Sequence, residues 1–126
     1  MNENQLSKVI IGASIEVHKV LGGPGLLEDV YEETLCYELV LQKINLKRQV
    51  TVPIIYKGQS LKMSLRLDIL VNDKVIIEVK AVEKYNKIYE SQLLTYLRLT
   101  GIKLGLVINF GEKRVGDGIH RVVNNL

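Results

Sequence analysis

The chain has 126 residues, of which 47% are hydrophobic and 25% charged, and a net charge of +3. That length and apolar content suit one domain with its own core, while the weak positive balance permits a polyanionic partner without requiring one. The absence of repeats, Pro/Ser/Gly-rich tracts and any apolar run near the roughly 20 residues of a membrane span argues against solenoid, disordered and transmembrane classes.

Residues 1–126 are therefore expected to form one domain. Met1 to Ser7 is polar and lacks an apolar signal core, and Cys36 is the single cysteine, so neither an intramolecular disulfide nor a cysteine-based zinc cluster is available. These features predict a cytoplasmic protein with no membrane association, in which Cys36 is a small core residue.

From Leu6 to Leu21 the residues Val9, Ile10, Ala13, Val17, Val20 and Leu21 recur at three- and four-residue steps, which predicts a helix with one buried stripe. Gly22, Gly23 and Pro24 end it. A second helix is expected from about Leu26 to Lys43, burying Leu27, Val30, Tyr31, Leu35 and Leu39, with Glu28 and Asp29 complementing the dipole in its first turn. Beyond Asn45 the period changes to two. Val50, Val52 and Ile54, a turn at Lys57-Gly58, and then Leu61, Met63, Leu65, Leu67, Ile69 and Val71 predict a hairpin with one apolar face.

After a turn at Asn72 to Lys74, the run Val75 to Val82 reads as a central strand, apolar on both faces at its start. A third helix from about Lys87 to Thr100 carries Tyr89, Leu93, Tyr96 and Leu97 and stops at Gly101. The apolar run Leu104 to Asn109 follows that crossover, so it is expected to be a buried strand parallel to its partner. The periodicity leaves the type of the last element, Ile119 to Val123, open. The predicted fold class is α/β: a mixed central β-sheet flanked by helices, in the order ααβββαβ.

Charge inside the Val75–Val82 strand is the chemical signal. Side chains two apart on a strand share a face, so Glu78 and Lys80 project together while Val75, Ile77 and Val79 point the other way. Burying an unpaired charge costs several kcal/mol, about the scale of a whole domain's margin. A hairpin turning at Asn72 to Lys74 would bring Asp68 level with Glu78, and two facing carboxylates repel unless a cation lies between them. Oxygen ligands of this kind suit Mg²⁺ or Mn²⁺.

Glu28 is a candidate third carboxylate, and the backbone carbonyl of Val79 a candidate ligand. The expected chemistry is phosphodiester hydrolysis, with the ion polarising the phosphate and Lys80 either orienting the attacking water or offsetting charge on phosphorus. Gln92 and Tyr96, four apart on the third helix, share a face from which they can position water or phosphate.

Asp68 followed ten positions later by Glu78-Val79-Lys80 resembles the D-x(n)-(D/E)-x-K core of the PD-(D/E)XK phosphodiesterase superfamily, and Gln92-x-x-x-Tyr96 resembles the accessory motif on the helix after that core. Gly25-Leu26-Leu27-Glu28-Asp29-Val30-Tyr31 is similar to the Gly-x-x-Glu-x-x-Tyr segment of the bacterial and archaeal GxxExxY family within that superfamily. The resemblance runs from His18 through the Gly22–Gly25 loop to Phe110-Gly111. One departure is Leu67 where the superfamily's name places a proline.

Membership implies a restriction-endonuclease-like core and a Mg²⁺- or Mn²⁺-dependent nuclease with Asp68, Glu78, Lys80, Glu28, Gln92 and Tyr96 at its site. Nucleic acid is the expected partner, DNA favoured over RNA. The alternative is a catalytically inactive nuclease-fold module that binds nucleic acid or a protein, and a third reading is a purely structural or interaction protein, a dimer formed through the hairpin edge or the exposed helices.

Each feature also has a plainer structural explanation. Glu78 and Lys80 form an ordinary cross-strand ion pair in that case, and Glu28 merely stabilises its helix terminus. His18 is then a satisfied helical histidine, and Gly22–Gly25, which lacks a Gly-Lys-Ser/Thr ending, is a turn rather than a phosphate loop. Tyr85, Tyr89 and Tyr96 either pack on the sheet or stack on bases. Lys84, Lys87, Arg98, Lys103, Lys113, Arg114 and Arg121 are either a solvated surface or a phosphate-tracking rim.

Overall fold

The structure, a computed structural model, describes residues 1–126. The elements are α1 (Glu3–Val20), α2 (Glu28–Leu41), β1 (Leu46–Tyr56), β2 (Gln59–Val71), β3 (Val75–Lys80), α3 (Ile88–Thr100), β4 (Leu104–Asn109) and β5 (Ile119–Val123), the last entered through a 3₁₀ turn at Val115–Gly118. The strands form one mixed sheet in the order β1-β2-β3-β4-β5. β3 and β4 run parallel, joined by the α3 crossover, and all other neighbours are antiparallel. The open C-terminal element is thus a strand, an antiparallel edge on β4.

Helices cover both faces. On one side α1 and α2 bury Leu6, Ile10, Val17, Tyr31, Leu35 and Leu39 against Val75, Ile77, Val79, Leu106 and Ile108. On the other, Leu93 and Leu97 of α3 pack on Leu67, Leu70, Ile76 and Val107. Gly105 permits this approach, because a Cβ there would lie 2.7 Å from Leu93 Cδ2. Two helix boundaries follow from local chemistry. Asn2 caps α1 in a reciprocal box with Gln5, and Gly101 closes α3 at φ 75°, a left-handed conformation that glycine adopts without strain.

The α2 expectation needs correcting. Leu27 is 78% exposed and Val30 41% exposed, because the buried face of the helix is the row Tyr31, Glu32, Leu35, Cys36 and Leu39. Val30 lies about 100° around the helix from Tyr31 and further from the centre of that row, while Leu27 precedes the helix in extended backbone. β3 also ends at Lys80, two residues earlier than expected. Beyond it, Asn109 takes over: its side chain accepts from the Val82 amide (2.9 Å) and donates to the Val82 carbonyl (3.0 Å).

The β1–β2 hairpin is longer than its cover. It turns at Lys57 and Gly58, both at positive φ, and its register shifts between Pro53 and Ile55. The apolar face expected for it is present but largely open, with Met63 75% exposed and Leu61 also in solvent.

Gly111 follows Asn109 where two backbones nearly touch, and a Cβ there would lie 2.2 Å from the Val82 carbonyl oxygen. Gly111→Ala is expected to cost about 1–3 kcal/mol, because backbone rather than a flexible side chain must move. Urea denaturation measures this, and an unchanged midpoint would show that the Val82 segment yields freely.

Candidate active site

The β2–β3 ladder pairs Val71 with Val75, Leu70 with Ile76 and Ile69 with Ile77, so its continuation sets Asp68 opposite Glu78. Pairing stops there. Asp68 Oδ2 instead accepts a 2.8 Å hydrogen bond from the Val79 amide, which places the carboxylate in the seam between the two strands. In extended backbone a residue's N–H and C=O point toward the same neighbouring strand, so the Val79 carbonyl is directed to this seam as well. The Val79 side chain lies in the α1/α2 core.

A change of face at the same level explains how both layers reach the seam. Val50 and Leu67 pack toward α3, whereas Ile69 belongs to the α1/α2 core and its partner Arg48 reaches α2. Gln49, between Arg48 and Val50, has φ 52°, which breaks the alternation and lets two consecutive side chains turn to α2. Both end on Glu32. Arg48 Nη2 and Gln49 Nε2 each donate to Glu32 Oε2 at 2.8 Å, and Gln49 Nε2 also lies 3.0 Å from Oε1. Glu32 is 3% exposed and one helical turn after Glu28. This clamp fixes the first two turns of α2 to β1 beside Asp68.

Glu78 lies on the α3 face and is 8% exposed. Its Oε1 has no hydrogen-bond partner. Burial, reinforced by the neighbouring Asp68 carboxylate, pushes its carboxyl up to about 9, and Lys80 offsets this only in part. Such a group needs a proton or a cation. Lys80 makes no ion pair within 4 Å; its Nζ rests over the Tyr89 ring, 4.7 Å from the centroid. Tyr89 meets Tyr85 edge-on, and Tyr85 stacks on His120 at 3.9 Å. Tyr85 is therefore already packed, while Tyr89 faces the lysine.

Gln92 and Tyr96 line a narrow cleft with Glu78, Lys80, Tyr89 and Leu93. Burial raises the Tyr96 phenol, and the charges of Glu78 and Asp68 raise it further, so its oxygen lies within their field. Glu28 approaches from the α2 side. Its carboxyl is raised by burial and by Asp68, against the lowering influence of Lys80. The segment before it is pinned by Tyr31, whose hydroxyl donates to the Gly23 carbonyl (2.7 Å) and accepts from the Leu26 amide (3.2 Å), with its ring stacked on Phe110. Gly25 at φ 120° completes that turn.

Asp68 and Val79 thus meet in the β2–β3 seam inside the sheet, with Glu78, Lys80, Gln92 and Tyr96 beside it on the α3 face and Glu28 on the α2 side. They do not form a finished cage, since no group of three or more His, Cys, Asp or Glu side chains lies close enough to hold one ion. The Asp68–Glu78 pair is the nucleus, with Glu28 set apart from it. A buried carboxylate oxygen without a partner, beside a second carboxylate, fits a hard divalent cation whose remaining ligands are water and phosphate. Sequence reasoning misses Glu32, Arg48 and Gln49. Glu32 carries one signal, its i+4 spacing from Glu28 within the apolar row; Gln49 carries none.

A family model of the PD-(D/E)XK nuclease superfamily matches residues 4–122. The chain belongs to that superfamily, and its mixed five-stranded sheet between helices is a restriction-endonuclease-like fold. No curated protein matches it. Among solved structures, the crystal structure of SSO0001 is similar, with a TM-score of 0.59 and 21% identity over 79% of this chain. The chain spans about half of that protein's length, 51%. No helix is long and apolar enough to cross a membrane.

Two outcomes test this geometry. Because Glu78 is raised from 4.5 to about 9, the folded chain holds its proton across a window in which the unfolded chain has lost it. Metal-free stability should therefore fall as pH rises from about 4.5 to 9, by at most about 1.4 kcal/mol per pH unit, and Glu78→Gln should flatten the slope. Urea titrations in chelator at several pH values measure it; identical slopes for the two proteins would contradict the burial described. Separately, Arg48→Ala should cost about 1–3 kcal/mol by leaving Glu32 under-satisfied, read as a lowered urea midpoint.

Proposed function

We propose that this chain is a divalent-metal-dependent nuclease of the GxxExxY kind, a single domain hydrolysing phosphodiester bonds in nucleic acid, DNA before RNA. The observation that carries the reading is the buried Asp68–Glu78 pair with its unpartnered Glu78 oxygen, facing the Lys80 side of the strand. Superfamily membership and the Gly25–Tyr31 segment support it. A cytoplasmic location accords with the free, buried thiol of Cys36.

Asp68, Glu78 and the Val79 carbonyl are the proposed holders of Mg²⁺ or Mn²⁺, with Glu28 joining from α2. Bound there, the ion supplies Lewis-acid polarisation of the phosphate and a more acidic attacking water. Lys80 offsets negative charge developing on phosphorus or orients the water; its ammonium needs only to leave the Tyr89 ring, a contact worth about 0.5–2 kcal/mol. Tyr96 and Gln92 flank that position and align the phosphate or the water. The apolar walls from Leu93 keep the local dielectric low, which strengthens each of these interactions.

The second reading is a nuclease-fold module that binds nucleic acid or a protein without cutting. Its support is the gap between Glu28 and the Asp68–Glu78 pair. Salt-sensitive DNA binding with neither divalent-ion binding nor hydrolysis would select it.

Asp68→Asn and Lys80→Ala are each expected to lower cleavage of DNA in Mg²⁺ or Mn²⁺ by about 100-fold or more while circular dichroism stays native. The same assay run with RNA decides the substrate. Metal-dependent cleavage that survives both substitutions would sink the assignment.

A further inference from the structure

We infer that a basic cavity beside the last turn of α1 is a second phosphate subsite, gripping the backbone of the nucleic acid away from the bond that is cut. The inference rests on the nuclease reading and extends it to the path of the substrate. The cavity, about 300 Å³, is lined by Ile15, His18, Lys19, Lys113, Arg114 and Asp117 among others. Lys19, Lys113 and Arg114 are exposed, and none has a carboxylate within ion-pair distance. Three free cations thus face one carboxylate, a balance that favours an anion.

The loop that lines the cavity follows the C-terminal end of β4, whose Asn109 pairs with Lys80 at the end of β3. The Phe110 amide donates to the Lys80 carbonyl at 2.8 Å. Three residue steps then lead from Phe110 to Lys113 and reach at most about 11 Å, so the Lys113 backbone is within about 14 Å of that carbonyl. That bound is at most roughly four steps of a B-form strand at about 3.4 Å per nucleotide.

A second cavity of about 440 Å³ is bordered by Ala81, the residue after Lys80, and by Gly111, two residues before Lys113. It lies between Pro24–Leu26 of the Gly-rich loop and Ala81–Glu83. No side chain can stand on Gly111, because a Cβ there would strike Val82. The basic end is held in shape by His18, whose Nε2 donates to the Glu112 carbonyl at 2.9 Å, immediately before Lys113 and Arg114. A side-chain-free stretch at Gly111, followed two and three residues on by unpaired cations, suits a sugar-phosphate chain. His18 serves here as a positioning residue.

The test measures binding of a labelled DNA oligonucleotide to Asp68→Asn protein, with and without Lys113→Ala and Arg114→Ala, across a range of sodium chloride concentrations. The double change is expected to weaken binding about tenfold or more. It should also flatten log K against log salt by about 0.9 for each duplex phosphate released, or about 0.7 for a single strand. Lys19→Glu should act in the same direction. Lys47→Ala, near the Asn72–Lys74 turn, is the control and should change neither quantity.

Unchanged affinity and slope in both cavity variants would overturn the subsite and leave the nuclease reading standing. Failure of the Asp68→Asn parent and of the native chain to bind any oligonucleotide would overturn both readings.

Discussion

The hydrogen bond from the Val79 amide to Asp68 Oδ2 is the constraint on which the site depends. A backbone donor in the middle of a sheet normally bonds to the next strand, and here a side chain takes its place. β2 and β3 part at that level, and the space between them is filled by a carboxylate rather than by a carbonyl. Glu78 is then left facing Asp68 across the seam with one oxygen unsatisfied. Without that substitution of partner, the ladder would close and Asp68 would be one more polar residue on a strand.

The rest of the fold holds this seam open from both sides. On the α1/α2 face, Glu32 draws in Arg48 and Gln49, and Gln49 accepts a left-handed backbone to reach it. Tyr31 fixes the Gly-rich loop, and with it the point at which α2 begins and Glu28 is presented. On the α3 face, Leu93 and Leu97 seat the helix that carries Gln92 and Tyr96, a position that the missing side chain of Gly105 makes available. Residues distant in the chain meet because each layer delivers its part to the line where the strands change face.

Much of this is legible in the sequence, for identifiable reasons. The period-two run from Leu61 to Val71 and the turn residues Asn72 and Asp73, both at positive φ, set the level at which Asp68 meets Glu78. The 3.6-residue period locates the helices to within a few residues. Periodicity fails where two apolar rows compete on one helix: α2 carries Tyr31, Leu35 and Leu39 inward but also Val30, Tyr37 and Leu41 outward, and composition cannot choose between them. β5 escapes because five residues are too few to show a period. Gln49 escapes because glutamine has no special preference for left-handed backbone, so the tertiary pull of Glu32 alone dictates it.

The uncovered β1–β2 hairpin has a consequence for how copies of the chain meet in solution. β1 is a long outer strand whose far side offers backbone donors and acceptors to any passing polypeptide. The offset between Pro53 and Ile55 spoils the even spacing a foreign strand would need to zip on. Lys47, Lys57 and Lys62 add like charge along the hairpin. Together they turn a surface primed for fibrous stacking into one that discourages it, so the apolar residues at the hairpin tip can stay in water at little risk of runaway association.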